Sequence, residues 1–159
     1  IFAGLNDLIS NDLQIIWQTG KLFIDKAKMK VESLQTNRVY VSDFIYEMDL
    51  AYAAADLVVS RAGALSVSEL CLAEKPSILV PLPTAAEDHQ TQNAMSLVNV
   101  NAAWIVKDVE ANNILVDKAI ELADNEEVMS QLSENIKTLA RPNAGKEIAR
   151  EVLKIISGQ

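Results

Sequence analysis

DLVVSRAGALSVSELCLAEKPSILVP, residues 56–81, reads as strand, tight turn, helix and strand. Asp56–Ser60 and Ser77–Pro81 are short apolar runs, and Ala64–Glu74 is a helix until Lys75-Pro76 breaks it. Continuous apolar strands, as opposed to alternating ones, mark a parallel sheet covered on both faces. The same rhythm extends upstream. Phe2, Leu5, Leu8 and Ile9 give a helical spacing over Ile1 to Asp12, and Leu13–Trp17 and Arg38–Ser42 read as strands. Between those strands Leu22, Ile24, Ala27, Val31 and Leu34 follow a helical stripe, and Met48–Ala55 is a short Ala-rich helix. Downstream, a helix over Asp88–Val100 precedes a fifth strand, Ala102–Val106. From Asn112 the chain is helical, with a second segment over about Glu127–Leu139 and a last stripe of Ile148, Val152, Ile155 and Ile156. The pattern predicts an α/β fold with a doubly wound parallel sheet covered by helices on both faces.

The chain has 159 residues, half of them apolar and 23% charged, which fits one globular domain and excludes intrinsic disorder. Its 14 basic and 22 acidic side chains leave a net charge of −8. That balance argues against a nucleic-acid groove or a polybasic membrane face, but not against an anionic ligand held by main-chain amides. Cys71 is the only cysteine, so neither an intramolecular disulfide nor a cysteine metal cluster is expected. The first residue is Ile1, and Ile1–Leu5 already reads as helix interior, so the chain is expected to be a fragment beginning within a domain.

Ligands of such sheets bind beyond the carboxyl ends of the strands. After the third strand, Ala62, Gly63 and Ala64 allow close approach to the backbone, and the N–H groups of Gly63 to Ser66 open the following helix, where the dipole favours an anion. Ser66 adds a hydroxyl. Glu69 lies about 60° around the helix from it, placed to accept the two hydroxyls of a ribose. The same Ser66-x-x-Glu69 spacing also fits a capping box.

After the fourth strand, Pro81-Leu82-Pro83 leads to Glu87-Asp88-His89-Gln90-Thr91-Gln92-Asn93. His89, Gln90 and Gln92 carry donors and acceptors suited to sugar hydroxyls, while Asp88 also suits a helix N-cap. After the second strand, Phe44, Ile45 and Met48 offer a resting place for a flat base, or simply core packing. Gln18-Thr19-Gly20-Lys21, after the first, is a turn with one cation, suited to touch phosphate or simply to stand in solvent. No metal motif, hydrolase triad or paired-carboxylate site is present in the sequence.

SRAGALSVSEL, KPSILVPLP and EDHQTQNA, together with WQTGK and FIYEM, resemble in order and spacing the carboxy-terminal domain of the MurG family. These are the N-acetylglucosaminyltransferases that use UDP-N-acetylglucosamine and a lipid-linked muramoyl-pentapeptide in bacterial peptidoglycan synthesis. The likeness spans most of Leu13–Ile105 and implies the Rossmann-like, donor-binding carboxy-terminal domain of a GT-B glycosyltransferase over residues 1–159. By matching motif, it implies that Ile45 receives uracil through its backbone with Met48 nearby. Ala64, Leu65 and Ser66 would contact the diphosphate, and Glu69 the ribose. His89, where the family often has Gln, and Gln90 would reach the N-acetylglucosamine hydroxyls.

The implied reaction moves the sugar to the C4 hydroxyl of the acceptor with inversion, converting lipid I to lipid II, without a cofactor or metal. Catalysis here would be leaving-group stabilisation by the amides of Gly63, Ala64, Leu65 and Ser66. The family's acceptor domain and a Gly-rich loop after a first strand are expected to lie outside this chain. The parent protein is expected to sit peripherally on the cytoplasmic face of the bacterial inner membrane, and the fragment to be soluble and inactive by itself. Without that first strand, Leu13–Trp17 and Asp56–Ser60 are expected to expose edges that meet, are covered by another chain, or leave a gap. The rivals are another GT-B UDP-sugar transferase or epimerase and a non-catalytic nucleotide-binding domain. A response-regulator-like domain is disfavoured, because no acidic cluster follows the first strand.

Overall fold

The computed structural model describes residues 1–157. The strands are β1 (Ile15–Gln18), β2 (Val39–Ser42), β3 (Val58–Ser60), β4 (Ser77–Leu79) and β5 (Trp104–Ile105). The α-helices are α1 (Leu5–Ser10), α2 (Ile24–Ser33), α3 (Met48–Ala54), α4 (Ala64–Ala73), α5 (His89–Val98), α6 (Asp108–Ala123), α7 (Glu126–Lys137) and α8 (Ala144–Ser157). All strand pairs are parallel, and each connection between paired strands carries a helix, so the chain has the expected doubly wound α/β architecture.

The core divides around β4. Ile78 and Val80 face a cluster with Leu8 of α1, Leu115, Ala119 and Leu122 of α6, and Leu132 of α7. Leu79 faces the other way, onto Leu70 and Cys71 of α4, Ala94 and Leu97 of α5, and Ile136 of α7. Successive strand side chains point to opposite faces, so a run of three apolar residues with both faces buried needs helices on both sides. α8 is different: Ile148, Val152, Leu153, Ile155 and Ile156 are all exposed, and none of its described residues is buried.

The sheet is split. β1 and β2 form one pair and β3-β4-β5 a separate three-stranded sheet, with no described strand between β1 and β3. Between them lies a cavity of about 790 Å³, lined by Ile16, Trp17 and Gln18 of β1 and by Leu57–Ser60 at β3. The two open edges do not meet each other; a gap separates them.

Two boundaries differ from expectation. Ile1–Leu5 is not helix interior: a turn precedes α1, and Phe2 instead joins Trp17 and Phe23 in an aromatic cluster with Lys26 over it. α6 starts at Asp108, earlier than Asn112, because Asp108 and Glu110 supply the acidic first turn that a helix start favours. No helix among the described residues is long and apolar enough to cross a membrane.

Candidate functional site

β3 ends at Ser60, and the chain turns through Arg61, Ala62 and Gly63 into α4. Gly63 occupies the N-cap position with φ −65° and ψ 148°, and no side chain caps the helix. The first intrahelical bond runs from the Val67 N–H to the Gly63 carbonyl, 2.9 Å, and the N–H groups of Ala64, Leu65 and Ser66 have no partner among the described residues. Three amides therefore point out of the start of α4 with the positive end of its dipole behind them.

The capping-box reading of Ser66 and Glu69 fails on this geometry. A capping serine stands before the first helical turn, whereas Ser66 is the third residue inside it. Glu69 reaches not backward but sideways, and its Oε2 accepts a hydrogen bond of 3.0 Å from the Tyr52 hydroxyl of α3. The Tyr52 hydroxyl is pushed up to about 12, first by burial and then by the bond to, and charge of, Glu69. It stays protonated and donating at neutral pH.

Arg61 does not supply the positive charge of the site. Its Nη1 donates to the Val80 carbonyl and pairs with Asp108 at the start of α6. Ala62, fully buried, presents its carbonyl to the Asn93 side-chain amide at 3.0 Å. That bond ties the turn that precedes α4 to the second turn of α5, although Asn93 drew no attention of its own in the sequence. Its position inside the EDHQTQNA motif was the available signal.

The approach to α5 is unusual. Glu87 (φ 49°) and Asp88 (φ 57°) both adopt left-handed backbone, and Asp88, although at the N-cap position, makes no side-chain cap bond. His89 extends into solvent 3.5 Å from Glu87. The Gln90 Oε1 accepts from the Leu82 N–H at 2.9 Å, which pins the proline loop and leaves the amide nitrogen of Gln90 for other partners.

The cavity beside β3 brings Ile45, Met48, Tyr52 and Ser66 to one lining, while Glu69, His89 and Gln90 stand outside it. Gln18, at the end of β1, enters the same place: its Oε1 accepts from the Ile45 N–H at 2.9 Å. The main-chain donor that would meet a base thus already holds an amide carbonyl. Spacing alone gave Tyr52 no role and read Gln18 only as part of a turn that could touch phosphate, since both act across elements that are distant in sequence. Among the described residues no group of three His, Cys, Asp or Glu side chains is arranged to hold a metal ion.

Residues 3–148 match the family described as Glycosyltransferase family 28 C-terminal domain. A Bacteroides fragilis protein named UDP-N-acetylglucosamine--N-acetylmuramyl-(pentapeptide) pyrophosphoryl-undecaprenol N-acetylglucosamine transferase is 52% identical over 157 residues, covering 98% of this chain and 41% of its own. A protein of the same name from Phocaeicola vulgatus is 48% identical over 156 residues, covering 98% of this chain and 42% of its own. The crystal structure of Acinetobacter baumannii MurG superposes with a TM-score of 0.79 at 30% identity, over 89% of this chain and 43% of that one. The chain spans about two fifths of the length of these relatives.

Proposed function

The chain belongs to the family of glycosyltransferase family 28 C-terminal domains, and on that premise we propose that residues 1–159 are the UDP-N-acetylglucosamine-binding domain of an inverting transferase. Its parent protein would add N-acetylglucosamine to undecaprenyl-pyrophosphoryl-muramoyl-pentapeptide in peptidoglycan synthesis, converting lipid I to lipid II. The observation that carries this reading is the row of amides from Ala64 to Ser66, without a partner among the described residues, with a carboxylate one turn further on that does not cap the helix.

The roles follow the geometry. A diphosphate over the start of α4 meets three N–H groups and the helix dipole, with Ser66 beside it. As the bond from sugar to phosphate breaks, charge grows on the β-phosphate, and fixed dipoles oppose it without having to reorganise. An acidic chain binds an anion this way because the donors are main-chain groups. Glu69 accepts from the ribose hydroxyls. Uracil rests by Met48 and pairs with the backbone of Ile45, using its carbonyl directly and its N–H once the Gln18 amide turns aside. His89 and Gln90 reach the sugar hydroxyls from α5. The acceptor and the group that takes its proton belong to the part of the parent protein outside these residues. That parent protein would act peripherally at the cytoplasmic face of the bacterial inner membrane, where a polyprenyl-linked acceptor is presented.

Two measurements test the reading. Gly63 has a backbone that any residue adopts, and a Cβ there would meet only the Ser66 Oγ, at 3.7 Å. Its missing side chain is therefore not needed by the fold, and a methyl group would stand where the diphosphate approaches. Gly63→Ala should change unfolding free energy by less than about 1 kcal/mol. It should weaken UDP-N-acetylglucosamine binding about tenfold, the effect of overfilling a close contact. Unchanged affinity in calorimetric titration would remove the diphosphate from this turn. The chain alone is also expected to transfer no N-acetylglucosamine to a muramoyl acceptor, and turnover in a radiolabel assay would contradict the assignment of acceptor chemistry to other residues.

A further inference from the structure

Glu69 is not held by its own helix. It is exposed on α4, and its only partner among the described residues is the hydroxyl of Tyr52, which reaches it from α3. Tyr52 is anchored differently. Its ring packs against the cluster of Ala62, Leu70 and Leu79, and it also lines the cavity shared with Ile45 and Met48. A half-buried tyrosine ring packed against a core has less rotamer freedom left to lose than an exposed glutamate held by nothing else. The bond takes one carboxylate oxygen, Oε2, and leaves Oε1 and the remaining lone pairs open.

The geometry points to Tyr52 as a positioning residue that pre-orients the Glu69 carboxylate for the vicinal hydroxyls of a ribose. This inference rests on the proposed binding of a uridine nucleotide and adds to it the origin of ribose recognition. Tyr52 touches the carboxylate, not the nucleotide's hydroxyls. Its removal therefore weakens only nucleotides that carry those hydroxyls.

The test compares UDP with 2′,3′-dideoxyuridine diphosphate in calorimetric titrations of the whole chain and its Tyr52→Phe variant. Phenylalanine keeps the ring and loses the one donor. UDP should bind about three- to tenfold more weakly to the variant, the range for one lost hydrogen bond to a charged group's network. The dideoxy nucleotide should bind both forms within about twofold. In a Glu69→Ala background, adding Tyr52→Phe should leave the ratio of the two affinities unchanged. Equal weakening of both nucleotides would make Tyr52 a strut between α3 and α4 and overturn the inference, as would no weakening of either. Partial unfolding of the variant scales both affinities alike, so their ratio still reports. Failure of the unmodified chain to bind UDP at all would overturn the nucleotide reading itself and this inference with it. Binding with unaltered ribose preference would overturn this inference alone.

Discussion

Glu69→Ala should weaken the binding of UDP-N-acetylglucosamine by about 1.5–3 kcal/mol, roughly 10- to 150-fold, because it removes a hydrogen-bond acceptor that carries charge. The size of the effect follows from what the carboxylate does not do. It does not cap α4, whose N-cap is Gly63, and it lies in no ion pair among the described residues. Alanine is the strongest helix former, so the helix itself should survive the change. The sole structural loss is the 3.0 Å bond from Tyr52, which sits at an exposed edge. The variant should therefore unfold within about 1 kcal/mol of the unmodified chain while its affinity falls. Paired thermal melts and titrations check this, and equal affinities would take the ribose away from Glu69.

A larger effect, on stability alone, is expected for Leu79→Ala. Leu79 is fully buried at the end of β4, the one strand here with a neighbour on each side. Three of the side chains around it, Ala62, Ala94 and Ala103, are methyl groups that cannot swing in to fill a void. A cavity lined by such short side chains collapses poorly, which places the loss in the range of about 2–5 kcal/mol. Domains have about 5–15 kcal/mol in total, and here the sheet is interrupted between β1 and β3, so much of the net stability would go. The urea midpoint should fall accordingly. A change below about 1 kcal/mol would mean that the core around β4 is looser than the packing of α4, α5 and α7 implies.

Residues 56–81 foretold their two strands and the end of the helix between them because the local cues for those features agreed. Apolar runs gave β3 and β4, Lys75-Pro76 ended α4, and both faces of Ile78 and Leu79 proved to be covered. Parallel pairing could likewise be read from the order of elements, whereas the open edges at β1 and β3 followed only from the family resemblance. The early start of α6 was missed because Asn112 and Asn113, one turn before Val116, break the apolar stripe, although Asp108 makes a good first-turn residue. The contest between a capping box and a ligand site at Ser66 and Glu69 was not solvable from spacing. It turns on whether the helix starts at Ala64 or, with Ser66 as its N-cap, three residues later at Val67, and helix starts are poorly specified by pattern. The left-handed pair at Glu87 and Asp88 carries no glycine or asparagine to announce it. The contacts from Tyr52 to Glu69 and from Gln18 to Ile45 join residues 17 and 27 positions apart. Only the packing of α3 on α4 and the close of β1 against the loop after β2 bring them together.

The account stands on the amides at the start of α4, and the most direct measurement follows them one by one. UDP is titrated into the isotope-labelled chain while the backbone amide resonances are recorded. The prediction is saturable shifts, largest at Ala64, Leu65 and Ser66, with a second set at Ile45 and Met48. Shifts that spare Ala64–Ser66 while others move, or no saturable shift anywhere, would contradict it.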